Sequence, residues 1–306
     1  MARFIIRRLV YSAITLLFLS LTVFMMVRLS GDPARLLAGQ EASAEDVAAL
    51  RADLGLDRPL PVQYAAFLGD AVRGDFGQSF NFRVPVRDLY FDRLPFSLQL
   101  AGAAFLISIF VGIPAGIVSA VRPRSRLSSA AKVVGLAGLA IPNFVIALVL
   151  MYILSVQLEL LPTSGSGSWK QLIMPAISLG WYFAASMMRL VSSSLLEIAG
   201  SDYVKLARLK GMPERVVVLK HALKNALLPV LTLAGVNFVV MVNAAVVVES
   251  IFSWPGIGDL VKQGIDQRDF PLVQGVVLLA AAMVVLVNLL VDIAYAWVDP
   301  RIRLER

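Results

Sequence analysis

Six long, uncharged and mostly apolar runs dominate the pattern of hydrophobic and polar positions along this chain. A helix needs about 20 apolar residues to cross roughly 30 Å of bilayer hydrocarbon, and each run approaches or exceeds that length. The runs are continuously apolar, whereas the strands of a membrane barrel alternate with a two-residue period. The pattern therefore predicts an all-α polytopic membrane protein with six transmembrane helices. Their expected ranges are 9–27, 94–121, 133–158, 171–188, 225–248 and 270–291.

The same pattern divides the chain into three parts. Residues 1–30 are expected to form the first transmembrane helix, because the apolar block after its arginines is longer than a signal-peptide core and lacks an evident cleavage site. Residues 31–93 form a polar stretch, with a predicted helix at 44–54 between turn signals, and are expected outside. Residues 94–306 supply five further helices and a cytoplasmic loop at 200–228.

The distribution of positive charge sets the predicted orientation. Taken together, the two termini and the segments 122–132 and 197–224 hold 16 Lys and Arg residues but only five Asp and Glu residues. Because basic residues near span ends stay on the cytoplasmic side, both termini are expected inside. Membrane topology thus accounts for the net charge of +7. The lipid bilayer is an expected partner of the chain, and nucleic acid is not.

Composition excludes several classes of site. The chain has 306 residues, of which 58% are hydrophobic and 16% are charged. It has no cysteine, which excludes a disulfide framework and cysteine-based metal or redox chemistry. His221 is the one histidine and has no second ligand near it in sequence, so no metal site is expected.

The 200–228 loop is the most informative segment. The pattern predicts a short basic helix from Tyr203 to Lys210 that ends at Gly211, a residue suited to a left-handed C-cap. Pro213 and Glu214 then favour the start of a second helix. Two helices should therefore meet at Gly211.

The second of these helices is expected to be amphipathic, with Lys220 and Lys224 on its polar face. The small residues Ala207 and Gly211 would allow a partner's backbone to approach closely. Two interpretations stay open on physical grounds: docking of a soluble protein, or binding of anionic lipid headgroups at the membrane surface. The expected apolar stripe consists of Leu219, Leu223, Ala226 and Leu227.

Residues 203–211, YVKLARLKG, and 221–229, HALKNALLP, resemble the coupling-loop signature of ABC-importer permeases. Lys205 and Leu206 stand where the general consensus has glutamate and alanine, and the final proline comes late. Both departures are similar to the subfamily that transports dipeptides, oligopeptides, glutathione and nickel.

Motifs elsewhere extend the resemblance over nearly the whole chain. The motifs at 31–34, 54–59 and 74–79 are similar to the external region of the first, B-type permease of these systems. Those at 249–258, 268–271, 288–292 and 299–301 resemble its last two spans.

The resemblance implies a type I ABC importer permease fold in a bacterial inner (plasma) membrane. It implies a second homologous permease, two cytoplasmic ATPases that hold ATP and Mg, and an external solute-binding protein. The chain itself has no Gly-x-x-x-x-Gly-Lys-Ser/Thr loop, so it is expected to be non-catalytic and to bind no cofactor or metal. The implied cargo is di- or oligopeptides or glutathione, with nickel or another small solute as the alternative.

Two sets of candidate site residues follow. A turn after the fifth span is either an external gate or receptor contact, or a loop that holds the last two spans together; its candidates are Trp254, Pro255, Gly256, Arg268 and Asp269. The expected ATPase-coupling residues are Asp202, Tyr203, Lys205, Ala207, Arg208, Gly211, Glu214 and His221.

Three charged residues, Arg189, Glu249 and Asp292, fall near the ends of predicted spans. Because a charge at mid-membrane costs about 3 kcal/mol on insertion scales, we interpret them as headgroup anchors or interhelical pairs rather than as substrate ligands. Asn237 and Asn243 lie deeper and are interpreted as polar packing contacts between helices.

Two other function classes are disfavoured. A stand-alone secondary transporter should carry ionisable relay residues deep in several spans, and almost none are present. An intramembrane enzyme would need a Ser/His pair, paired aspartates or a metal cluster, which a single histidine does not supply.

Overall fold

The computed structural model describes residues 2–38 and 42–298, and within them every regular element is helical. The expected all-α fold is confirmed. Thirteen α-helices are described: α1 (Ala2–Ser30), α2 (Pro33–Ala38), α3 (Ala44–Asp53), α4 (Leu60–Val72), α5 (Val86–Val121), α6 (Arg126–Ala140), α7 (Asn143–Leu150), α8 (Trp169–Ala199), α9 (Asp202–Leu209), α10 (Glu214–Val216), α11 (Leu223–Ile251), α12 (Ile257–Asp266) and α13 (Phe270–Val298). Two π-helical stretches, Met151–Gln157 and Val217–Ala222, continue α7 and α10.

Four helical runs in the described residues are long and apolar enough to span a membrane: Ile6–Leu29, Val86–Val121, Glu214–Ile251 and Phe270–Val291. A bent pair, α6 with α7 and its π-helical continuation, raises the number to five if it counts as one span. The sixth expected span, 171–188, lies in α8, which has 31 residues but is not among these runs. Helices α6, α7 and α11 pack around α8. A helix surrounded by protein faces little lipid, so its composition need not be that of a lipid-exposed span.

The expectation of one continuous helix over 133–158 is wrong. Helix α6 ends at Ala140, α7 begins at Asn143, and the two axes differ by 114°. Pro142 lies at the break, and Ile141 before it is extended with φ −95° and ψ 124°. Proline has no N–H and excludes the helical conformation from the residue before it, so the chain turns here.

The chain forms two compact units, of which the first comprises residues 1–95 and 259–306. In this unit α1 packs against α13 and α4. Phe24, Tyr64 and Phe67 form an aromatic cluster between α1 and α4, and the Ser20 and Tyr64 hydroxyls lie 2.8 Å apart. Helix α3 matches the predicted helix at 44–54, and Ser43 begins it with a capping box.

The second unit comprises residues 96–258 and is built around α8. Glycines allow α5 and α8 to pack with their backbones in contact. A Cβ at Gly112 would lie 2.6 Å from the Ala184 carbonyl oxygen, and one at Gly116 would lie 2.7 Å from that of Met188. The main core of this unit includes Leu100, Met174, Leu179, Met241 and Trp254.

Candidate functional site

The predicted helix–turn–helix at Gly211 is present. Helix α9 runs from Asp202 to Leu209, and Gly211 has a φ of +76°, the left-handed conformation expected of a C-cap glycine. Nothing lies within 4 Å of the position that a Gly211 Cβ would occupy. The chain resumes helical structure at Glu214, directly after Pro213.

The second helix of this segment is continuous with a membrane-spanning helix. Helix α10, the π-helical stretch Val217–Ala222 and α11 form one 38-residue run, Glu214–Ile251. At 1.5 Å per residue this run is about 57 Å long. The first turn of this run and a helix long and apolar enough to span the membrane therefore belong to one continuous element.

The expected apolar stripe on this helix is confirmed only in part. Of its four residues, Ala226 is buried, Leu223 and Leu227 are half-buried, and Leu219 is 58% exposed. Leu219 lies within the π-helical stretch Val217–Ala222, whose wider turn changes which residues share a face, and there Val217, Val218 and Ala222 are the buried residues. The sequence pattern alone assumed an unbroken α-helix.

The buried side of this helix packs against α9. Val204 and Ala207 of α9 share a small core with Val217, Ala222 and Ala226. Ala207 is 7% exposed, so its methyl group contacts this core and not the protein surface. The expectation that Ala207 faces a partner is therefore corrected: its contacts hold α9 in place. Gly211, the other small residue of the pair, is exposed.

Ion pairs and hydrogen bonds hold the two helices together on the surface. Arg208 Nε and Nη2 donate to the two carboxylate oxygens of Glu214 at 3.1 and 2.8 Å, and Arg208 Nη1 donates to the Ala199 carbonyl oxygen at 3.1 Å. The bond to Glu214 raises the pKa of Arg208. Lys205 pairs with Asp202 at 3.1 Å. The Lys205–Asp202 pair lies within α9, whereas the Arg208–Glu214 pair connects α9 to α10; exposed pairs of this kind are weak individually.

The outward side of α9 combines apolar and basic residues. Leu206 is 53% and Leu209 is 84% exposed, and Lys205 and Lys210 lie beside them, also exposed. We call Tyr203, Lys205, Leu206, Leu209, Lys210 and Gly211 the coupling surface. Tyr203 Oη accepts a hydrogen bond from Asn225 Nδ2 at 2.8 Å, which connects this surface to α11.

His221 lies on the π-helical stretch and is half-buried. Its Nε2 atom has no hydrogen-bond partner among the described residues. The part of the chain that the structure describes contains no group of three His, Cys, Asp or Glu side chains able to hold a metal ion.

A second polar site lies at the far end of α11. We call residues 252–258 the distal turn; they comprise the connection from α11 to α12 and the first two residues of α12. Trp254 is 2% exposed, and its Nε1 donates to the Phe96 carbonyl oxygen of α5 at 2.9 Å. Gly256 is also buried and Pro255 is half-buried. Trp254 and Gly256 are therefore packing residues of the second unit in this conformation and not surface contacts.

Glu249 lies just before the distal turn and is 1% exposed. Its Oε1 accepts from Ser97 Oγ at 2.6 Å and its Oε2 accepts from the Gly258 N–H at 2.7 Å. Of the two roles expected for this residue, the structure shows interhelical pairing, with α5, and not headgroup anchoring. Arg189 is exposed on α8, and the side chain of Asp292 lies outside the described residues.

The two asparagines of α11 differ. Asn243 Nδ2 donates to the Val239 carbonyl oxygen of its own helix at 3.2 Å, so the predicted contact between helices is not formed by this group. Asn237 is buried and its Nδ2 atom has no hydrogen-bond partner among the described residues.

Asp269 and Arg268 belong to the first unit. Asp269 is fully buried and accepts hydrogen bonds from Ser79 Oγ, from the Asn81 N–H at 3.1 Å and from the Leu272 N–H at 3.2 Å. It thereby caps the start of α13 and attaches the 79–81 loop to it. Arg268 is exposed, with a φ of +54°.

Family models match almost the whole chain. The model described as "Binding-protein-dependent transport system inner membrane component" matches residues 112–304, and the N-terminal model of the same systems matches residues 1–101. The chain belongs to this permease family. It is a non-catalytic, multi-pass component of the inner membrane.

Full-length relatives support the assignment. The permease is 38% identical over 304 residues to the glutathione transport system permease protein GsiC of Escherichia coli (strain K12), and 39% identical to GsiC of Salmonella choleraesuis (strain SC-B67). In both comparisons 99% of each chain is covered.

Solved structures share the fold of the permease. An inward-facing conformation of the MetNI methionine ABC transporter matches with a TM-score of 0.58 and 19% identity, covering 69% of this chain and 96% of that one. An amino acid ABC transporter crystallised with histidines matches with a TM-score of 0.54 and 17% identity, covering 68% and 93%. The type I permease fold is thus confirmed.

Sequence reasoning missed the contacts that Ser97 makes in the permease. Its hydroxyl lies between Glu249 and the Ile257 N–H, 152 and 160 residues away along the chain. Serine is common in apolar helices, where its hydroxyl usually bonds its own backbone. Only the spatial arrangement singles out this residue.

Proposed function

We propose that this permease is a membrane subunit of an ATP-driven importer for glutathione or short peptides. A second, related permease would complete the translocation path, and a solute-binding protein would deliver cargo from outside. Two cytoplasmic ATPases would bind ATP and Mg and dock on the coupling surfaces. The full-length similarity to glutathione permeases supports the cargo class.

The coupling surface supports the docking step. Its exposed leucines, Leu206 and Leu209, would provide apolar contacts, and the neighbouring lysines would provide charge complementarity to an acidic partner. Ala207 and Val204 anchor α9 to the small core beneath it. A surface that is exposed outside and rigidly packed inside is suited to transmit force.

The observation that carries this proposal is the continuous helical run Glu214–Ile251. It begins within a few residues of the coupling surface and becomes a membrane-spanning helix without interruption. ATP-driven closure of the ATPases would move α9 and α10 as a rigid body, and α11 would follow. With both termini in the cytoplasm, the coupling surface is on the side where ATP is available.

Purification of the chain with its partners in mild detergent tests this function. We expect two ATPase chains and a second permease to copurify, and the reconstituted complex to hydrolyse ATP faster when a glutathione-loaded or dipeptide-loaded binding protein is added. A nickel chelate and a longer peptide serve as competing cargos. Full-rate solute movement by the isolated chain in vesicles would refute the proposal.

A further inference from the structure

Glu249 is a buried acidic residue whose partners define its role. Burying a carboxylate is unfavourable unless hydrogen bonds compensate. Glu249 accepts bonds from Ser97 Oγ on α5 and from the Gly258 N–H of the distal turn. The Ser97 hydroxyl in turn accepts from the Ile257 N–H at 2.8 Å. One carboxyl group and one hydroxyl group therefore connect α11, α5 and the distal turn.

Glycines allow the distal turn to pack directly on this carboxyl group. A Cβ at Gly256 would lie 2.3 to 2.4 Å from the carboxyl atoms of Glu249, and a Cβ at Gly258 would lie 2.4 Å from the Val246 Cα atom. Trp254 adds a second bond to α5 through the Phe96 carbonyl oxygen. The turn is thus attached to both helices by buried contacts.

The position of Glu249 along the helical run gives this connection its significance. Glu249 lies two residues before the end of the run Glu214–Ile251, whose π-helical stretch Val217–Ala222 packs against α9. The distance from Glu214 to Glu249 along the helix is about 50 Å at 1.5 Å per residue. The two ends of one helix are therefore bound to the coupling surface and to the distal turn.

We propose that Glu249 is a positioning residue for transport, because its carboxyl group makes α5, α11 and the distal turn move together when α11 is displaced. The inference rests on the proposed function, in which ATPases move the other end of this helical run. Glu249 contacts no cargo in this role. It determines whether movement at the coupling surface reaches the distal turn.

Two substitutions at position 249 separate hydrogen bonding from volume. Glu249→Leu fills similar space but leaves the Gly258 N–H and the Ser97 hydroxyl without their acceptor. Glu249→Gln keeps an oxygen for the Gly258 N–H and an amide that can donate to Ser97 Oγ. The positioning role therefore predicts that function decreases in the order Glu, Gln, Leu.

Serine substitutions on α5 provide a matched control. Ser97→Ala removes the hydroxyl between Glu249 and the distal turn. Ser108→Ala removes an equally buried hydroxyl of the same helix that bonds only the Phe105 carbonyl oxygen of its own backbone. Generic loss of a buried hydroxyl would affect both variants alike.

The experiment uses the complete complex in vesicles with a glutathione-loaded binding protein. We measure the amount of copurified ATPase, basal ATP hydrolysis and cargo imported per ATP hydrolysed. In Glu249→Leu and Ser97→Ala, the amount of copurified ATPase and the basal rate of ATP hydrolysis should stay within about twofold of wild type, while import per ATP falls about tenfold. The double variant should import no less cargo per ATP than either single variant. Ser108→Ala should match wild type, and Glu249→Gln should lie between wild type and Leu.

Spin labels give a direct readout, because the chain has no native cysteine. Ser253→Cys in the distal turn and Gln99→Cys in α5 are both exposed positions of the second unit. The distance between the labels should form one narrow distribution with and without trapped nucleotide. In the Glu249→Leu background the distribution should broaden when nucleotide is trapped.

Three results would overturn the inference: full import per ATP in Glu249→Leu, equal loss in Ser97→Ala and Ser108→Ala, or loss of ATPase assembly in step with import. Any of these leaves the proposed function intact if the wild-type complex still imports cargo. A wild-type chain that binds no ATPase would refute the proposed function, and with it the inference.

Discussion

Substitutions at Gly211 can distinguish two effects on transport: strain in the backbone at this residue, and a side chain that blocks the docking surface. Its φ of +76° lies in the left-handed region, where a residue with a Cβ costs roughly 1–2 kcal/mol. Apart from Gly211 and its chain neighbours, no atom of the described residues lies within 4 Å of the Cβ position, so the first atom of a new side chain has open space. Gly211→Ala, Gly211→Asn and Gly211→Trp therefore share a similar backbone change, which Asn tolerates best, and differ in their bulk.

The three variants should separate clearly if Gly211 contacts a partner. We expect Asn and Ala to insert into the membrane normally and to keep import within about tenfold, since 1.4 kcal/mol corresponds to a factor of ten. Gly211→Trp should also insert normally but should lose ATPase copurification and import almost completely. Membrane content, copurified ATPase and vesicle import are measured side by side. Equal import by the Trp and Ala variants would refute the docking role.

Three further predictions concern packing. Ala207→Glu places a carboxylate in the core beneath α9 and should lower thermal stability of the detergent-solubilised complex, whereas exposed Leu209→Glu should leave stability unchanged and weaken ATPase copurification. Gly116→Leu should prevent α5 from packing on α8 and reduce the amount of folded protein on size-exclusion chromatography. Arg208→Ala should lower the free energy of unfolding, measured by chemical denaturation, by at most about 1 kcal/mol, because the side chains of the Arg208–Glu214 pair are half-exposed.

Much of the fold follows from the sequence, because long apolar runs and helix-ending residues are local signals. The run 270–291 and the turn at Gly211 were predictable in this way. The break at Pro142 was also signalled locally, but the high hydrophobicity on both sides concealed it. The predicted count of six spans included 171–188, which lies in α8. Only the structure shows that α6, α7 and α11 pack around this helix and can accommodate its polar residues.

The candidate site was predictable in position but not in orientation. Ala207 and Gly211 were expected to face the same partner because they are four residues apart, yet one lies in a core and the other at the surface. Four residues correspond to about 400° of rotation in an α-helix, but α9 ends at Leu209 and Gly211 has left the helix. Spacing rules apply only within one continuous α-helix, and the same limitation explains why Leu219, in the π-helical stretch, departs from the expected stripe.

The distal turn and the coupling surface use different kinds of contact, and the difference matches what each end must do. Lys205, Leu206 and Leu209 of the coupling surface are exposed, so their contacts can be exchanged at little cost. The carboxyl and hydroxyl groups at the distal turn are buried, so separating them would leave polar groups unsatisfied. In the proposed function, ATPases would dock and release at the coupling surface, and the movement would be passed on at the distal turn. Exposed contacts suit docking and release, whereas buried hydrogen bonds suit a connection that persists through the cycle.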